Sequence, residues 1–162
     1  MIVADTSALV TIASIDLLDV FLSEFEVHTT ETVIQELGNT AEYDDVHGEA
    51  ARTVIENRSS IERHPTDCST VQSSRIDEGE ATTARLANDL SADFLITDDL
   101  RALPELQSVV DGQVAISPIV LKALVQRDVL PRETALEKLD RAAETRDWLE
   151  SPIYRRARTL FD

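Results

Sequence analysis

Glycine, proline, cysteine and lysine are all scarce in this chain of 162 residues. Four glycines and five prolines leave little material for flexible linkers, and no internal repeat or low-complexity stretch is visible. The single cysteine, Cys68, excludes an internal disulfide and a cysteine metal cluster. No apolar run approaches the roughly 20 residues a membrane span needs, so no membrane partner is expected. The start, Met1-Ile2-Val3-Ala4-Asp5, lacks the basic region of a secretory signal, which leaves a cytoplasmic protein as the expectation. Neither GxxxxGK[ST] nor GxGxxG occurs, which counts against standard nucleotide binding.

Positive charge is the scarcest commodity. No Lys or Arg precedes Arg52, and only two lysines, Lys122 and Lys138, accompany thirteen arginines. Residues 1–100 carry 21 acidic and 5 basic side chains, net -16, whereas the remaining 62 carry 10 and 10. The isoelectric point is about 4.4. By itself such a surface repels nucleic acid. High salt removes that objection, because the Debye length falls to about 3 Å at 1 M. An acidic, lysine-poor surface resembles that of proteins from salt-loving organisms; an ordinary acidic cytosolic protein is the alternative.

A hydrophobic content of 43% and a charged content of 28% describe a globular chain, long enough for one domain spanning residues 1–162. Ile2 to Ala4 reads as a strand. A helix opens at Thr6 with Ser7 as its cap, and a second contains Leu17, Leu18, Phe21 and Leu22. Phe25 to His28 reads as a strand. Thr30 then caps a helix that Gly38 ends. Residues 39–47 read as an acidic loop, 48–57 as a helix and 61–64 as a strand. Asp77 to Leu90 is a strong helix, "DFLITDD" at 93–99 a buried strand, and 113–116 another. Ser117-Pro118 and Leu130-Pro131 open two further helices, and "SPIYRRARTLF" is a basic terminal one. Residues 117–162 thus form a helical extension. Alternating strands and helices predict an α/β fold with a mostly parallel sheet.

In such sheets the working groups gather beyond the C-terminal ends of strands. Two strands here run into aspartate, at Asp5 and at Asp98–Asp99. Helix capping accounts for either alone; their joint occurrence points to a shared site. Glu36 is read in the last turn of its helix, where a carboxylate opposes the macrodipole. At about 100° per residue it falls about 60° from Val33, at the rim of the apolar stripe. Asp77 and Glu80 have the spacing of a capping box, yet Glu80 also falls in its helix's apolar arc with Ala81, Ala84 and Ala87. If Asp5, Glu36, Glu80 and Asp98 or Asp99 converge, some must protonate unless a cation joins them. Mg²⁺ or Mn²⁺ suits an all-oxygen set. His28, His47 and His64 show no ligand spacing, which counts against zinc.

Four segments, "IVADTSAL", "VIQEL", "GEATTARLA" and "FLITDD", resemble in order and spacing the acid-bearing segments of PIN-domain nucleases. The tail from about Val114 is similar to an archaeal branch of that family. The resemblance implies a three-layer α/β/α sandwich and a metal-dependent ribonuclease, often a VapC-type toxin held by an antitoxin and often a homodimer. It implies Asp5 and Asp98 as metal ligands, with Glu36, Glu80 and Asp99 completing the shell. Ser7 and Thr97 would support them. Arg85 and Arg101 are candidate RNA contacts, the alternative for each being a solvated ion pair. Two rival functions follow from the same acids. One is an inactive PIN-like protein-binding module, with 17–22 and 48–57 as exposed apolar helices. The other is a phosphoacceptor signalling domain, against which the single Asp5 and the mid-helix Lys122 count.

The halophile reading is checked by thermal unfolding against KCl. The midpoint is expected to rise by several degrees between low and molar salt, and a fold indifferent to KCl would rule it out.

Overall fold

The computed structural model describes residues 1–65, 76–146, 148 and 151–161; Cys68 lies outside them. Five short strands, β1 (Ile2–Ala4), β2 (Val27–Thr30), β3 (Glu62–His64), β4 (Phe94–Ile96) and β5 (Gln113–Ala115), form one sheet in the order β3-β2-β1-β4-β5. Every neighbouring pair is parallel. All three residues of β1 are buried, as a central parallel strand covered on both faces requires. Ile2 and Ala4 pack into one apolar cluster, Val3 into the other, so alternation along three residues already defines two helical layers. The fold is the expected α/β/α sandwich.

The chain runs from β1 outward through β2 to β3, then crosses back to place β4 on the other side of β1. Strand order reverses there, and a crevice opens beyond the C-terminal ends of β1 and β4. Asp5 follows β1 directly, and Thr97, Asp98 and Asp99 follow β4.

Helices α1 (Thr6–Ser14), α2 (Leu18–Glu24), α3 (Glu31–Thr40) and α4 (Val46–Glu56) lie in the N-terminal part. Helices α5 (Glu78–Leu90) and α6 (Leu103–Val109) cover the Val3 face, with Leu86 and Leu106 in its cluster. Helices α7 (Pro118–Gln126), α8 (Arg132–Thr145) and α9 (Pro152–Thr159) share the larger cluster with α1 and α2.

Several local expectations change. Asp5 rather than Ser7 caps α1, accepting from Ala8 N at 2.9 Å; Ser7 sits in the first turn. Strand β2 lies two residues later than its apolar signal, because His28, Thr29 and Thr30 are buried with Val27. Helix α3 continues through Gly38 to Thr40, since Gly38 does not take up the positive φ that ends a helix. Glu36 is therefore not in the last turn. Asp45 caps α4 through Gly48 N at 2.7 Å, which shortens the acidic loop to residues 41–45. Helix α6 is an addition to the expected elements, and Pro104 in its first turn is its sequence signal. Ser117 makes no side-chain cap. Nor are α2 and α4 open apolar helices: Leu18, Phe21, Ala50, Ala51 and Val54 are buried core. Among the described residues no single helix is long and apolar enough to cross a membrane.

The charge-balanced C-terminal part leans on the acidic N-terminal part. Lys138 Nζ donates to Ile15 O at 2.8 Å, just past the negative end of α1. Arg141 pairs with Asp16 at 2.7 Å. Between them, Leu139 is fully buried. Leu139→Ala is expected to lower stability by about 2–5 kcal/mol, read as a shift in the urea midpoint with unchanged slope.

Candidate active site

Asp5 is 3% exposed, and three neighbours hold its carboxylate. Ala8 N and Ser7 Oγ donate to Oδ1 at 2.9 and 2.8 Å, and Thr97 adds a side-chain hydrogen bond. Ser7 Oγ also accepts from Asp98 N at 2.9 Å, and Thr97 Oγ1 accepts from Asp99 N at 3.2 Å. One serine and one threonine thus tie the ends of β1 and β4 together. Burial still dominates, pushing the Asp5 carboxyl up from 3.8 to about 6.

Glu36 reaches the same place from α3. Thr6 Oγ1 donates to its Oε2 at 3.0 Å. Its carboxylate rests against the backbone of Gly79, where any Cβ would overlap it. Partial burial, then the Asp77 charge, raise its carboxyl to about 7. Glu80 arrives at the start of α5, 5% exposed. The capping box is real: Asp77 N donates to Glu80 Oε2 at 2.9 Å and Glu80 N to Asp77 Oδ1 at 2.8 Å. The inward orientation is real too. Burial, followed by a hydrogen bond to Asp99, holds Glu80 well above the usual carboxylate range.

Asp5, Glu36, Glu80 and Asp99 line one cavity of about 320 Å³ with Thr6, Ser7 and Asp77. Asp98 is not on its wall. Its Oδ1 accepts from Ser117 N at 2.7 Å, while Oδ2 is buried without a hydrogen-bond partner. Asp98 faces an adjoining cavity of about 450 Å³ that shares Ser7, Asp99 and Arg146 with the first. The two aspartates that compete in the sequence therefore part: Asp99 joins the other acids, and Asp98 anchors α7. Thr97 is fully buried and acts on Asp5 and Asp99 from behind.

Arg146, after α8, carries the one guanidinium on the acidic wall among the described residues. It donates to Thr11 Oγ1 at 2.8 Å and to Ser7 O. Burial lowers its pKa; the Asp98 and Asp5 charges oppose that. In the sequence it is one arginine among thirteen, with no motif to mark it. His47 also lines the acidic cavity, with Nε2 donating to Thr145 O at 3.3 Å. Arg85 pairs with Asp89 at 3.5 Å and is not on this wall; Arg101 lines the adjoining cavity. The histidine expectation needs correction, because pairing of β2 with β3 brings His28, Glu62 and His64 together.

The sequence profile of a family described as PIN domain matches residues 1–162. The chain belongs to the PIN-domain family. PIN domains are generally nucleases and typically use divalent metals. No curated protein and no solved structure matches the sequence. The donor set of this PIN domain fits such an ion: four carboxylates from four segments meet with one guanidinium, and burial raises the carboxyl pKa of three of them, a cost that a bound cation would offset.

Folding raises the Asp5 and Glu36 carboxyls, so the folded protein binds more protons than the unfolded chain between the two values. The metal-free protein is expected to lose stability as pH rises from about 4 through about 7. For Asp5, moving from 3.8 to about 6 corresponds to about 3 kcal/mol. Asn keeps the cap without the charge, so Asp5→Asn is expected to raise the neutral-pH urea midpoint of the metal-free protein. A lower midpoint would contradict this account.

Proposed function

We propose that the protein is a ribonuclease that hydrolyses RNA phosphodiester bonds with Mg²⁺ or Mn²⁺. The observation that carries the reading is the meeting of Asp5, Glu36, Glu80 and Asp99 in one cavity at the strand-order reversal. Oxygen donors alone suit a hard divalent cation. Asp5 and Asp99 would hold it from the ends of β1 and β4, and Glu36 and Glu80 would complete the shell directly or through water. When bound, the ion supplies an acidified water and offsets charge on the phosphate.

The protein's own groups orient and neutralise. Ser7 and Thr97 fix Asp5 and the Asp99 backbone, so that two ligands from different strands keep one spacing. Arg146 sets a half-buried positive charge between the two cavities, where an RNA phosphate would need one. Arg101 lies on the wall of the adjoining cavity, where it would meet the next stretch of RNA backbone. Arg85, paired with Asp89, lines neither of these two cavities. Family membership alone supports the extension to a VapC-type toxin acting as a homodimer under an antitoxin.

The test is cleavage of single-stranded RNA in high KCl with Mn²⁺ or Mg²⁺. EDTA is expected to abolish it. Asp5→Asn and Asp99→Asn are expected to lower the rate by more than about 100-fold, and Ser7→Ala by about 10–100-fold as an orienting residue. Cleavage that survives both EDTA and Asp5→Asn would reject the metal mechanism.

A further inference from the structure

We propose a second metal site, built by His28, Glu62 and His64, that takes a zinc-class divalent ion. The sheet register puts these residues together. His28 pairs with Glu62, and Thr30 with His64, across β2 and the edge strand β3, so all three side chains rise from one face. Their ligating atoms lie within 4.8 Å of one another. His28 Nδ1 is 2.9 Å from His64 Nε2 and 3.8 Å from Glu62 Oε2. Tetrahedral zinc with bonds of about 2.0–2.1 Å spaces its ligand atoms about 3.3 Å apart, and these two distances straddle that value.

A second observation points the same way. His28 is buried, and its other ring nitrogen, Nε2, lies 2.9 Å from Glu26 Oε1. The Glu26 carboxylate accepts there, which puts the His28 proton on Nε2 and leaves the Nδ1 lone pair aimed at His64 and Glu62. A carboxylate behind a ligating histidine is the usual outer support of a metal-bound imidazole. In the metal-free protein His64 Nε2–H donates to His28 Nδ1. Binding replaces that hydrogen bond: His64 carries its proton on Nδ1 instead, and both facing nitrogens, with Glu62 Oε2, turn to the ion. The fourth position stays open to water. Two imidazoles and one carboxylate favour Zn²⁺, Co²⁺ or Ni²⁺ over Mg²⁺. None of the three residues lines the acidic cavity, so the site is separate from the nuclease chemistry and does not rest on it. A bound ion would pin the edge strand β3 to β2.

The experiment is titration of the full chain with Zn²⁺ and with Co²⁺, in excess Mg²⁺ to occupy the acidic cavity. One equivalent of Zn²⁺ is expected to bind and to raise the melting temperature. Co²⁺ is expected to show the intense visible absorption of a four-coordinate ion. Asp5→Asn should leave both signals intact. His64→Ala should abolish them, and Glu26→Gln should weaken affinity about 10–100-fold. Glu62→Gln, at an exposed position, supplies the same test if His64→Ala fails to fold, and should weaken affinity at least tenfold. Absence of Zn²⁺ binding, a weak six-coordinate Co²⁺ spectrum, or binding unchanged in both His64→Ala and Glu62→Gln would overturn the proposal.

Discussion

The rest of the site depends on the short bridge between the ends of β1 and β4. Ser7 Oγ donates to Asp5 and accepts from Asp98 N, and buried Thr97 bonds Asp5 and Asp99 N. Parallel strands are adjacent but diverge once their ladder ends. Backbone pairing reaches Asp5 N and Ile96 O, 3.2 Å apart, and beyond it these hydroxyls link the two aspartate-bearing turns. With them, the strand-order reversal becomes a fixed acidic floor, onto which α3 and α5 lower Glu36 and Glu80.

That floor is electrostatically unfavourable on its own terms. Asp5, Glu36 and Glu80 all have raised carboxyl pKa values, with burial the largest cause in each. The fold tolerates this through donors to each carboxylate and through Arg146. The C-terminal helices supply that guanidinium, along with Lys138 and Arg141 on the end of α1. The charge asymmetry along the chain thus has a spatial counterpart. The acidic part holds the site, and the balanced part braces it from behind.

Much of this was legible in the sequence because the signals were periodic. The alternation of apolar strands and amphipathic helices fixed the class, and the Asp77–Glu80 spacing placed both the cap and the inward Glu80. What was not legible depended on pairing across distance. Asp98 and Asp99 are identical and adjacent, and they differ in their partners: the distant Ser117 amide holds Asp98, and the Arg101 and Ala102 amides just beyond it in the chain hold Asp99. Arg146 reaches Ser7 and Thr11 through the packing of α8 on α1. His28 and His64 are 36 residues apart and meet only because β2 and β3 pair. Capping choices at Ser7 and Gly38 failed for a local reason: Asp5 is the better acceptor, and a glycine need not use its freedom.

The contact between Gly79 and Glu36 has a further consequence. Helix α5 begins with a backbone edge bare of side chain, and a carboxylate from another helix occupies the vacated space. Room for the Glu36 carboxylate on the acidic wall therefore comes from an omission, one missing methyl group. A side chain at residue 79 could enter only by displacing the Glu36 carboxylate from the cavity wall it shares with Asp5 and Glu80.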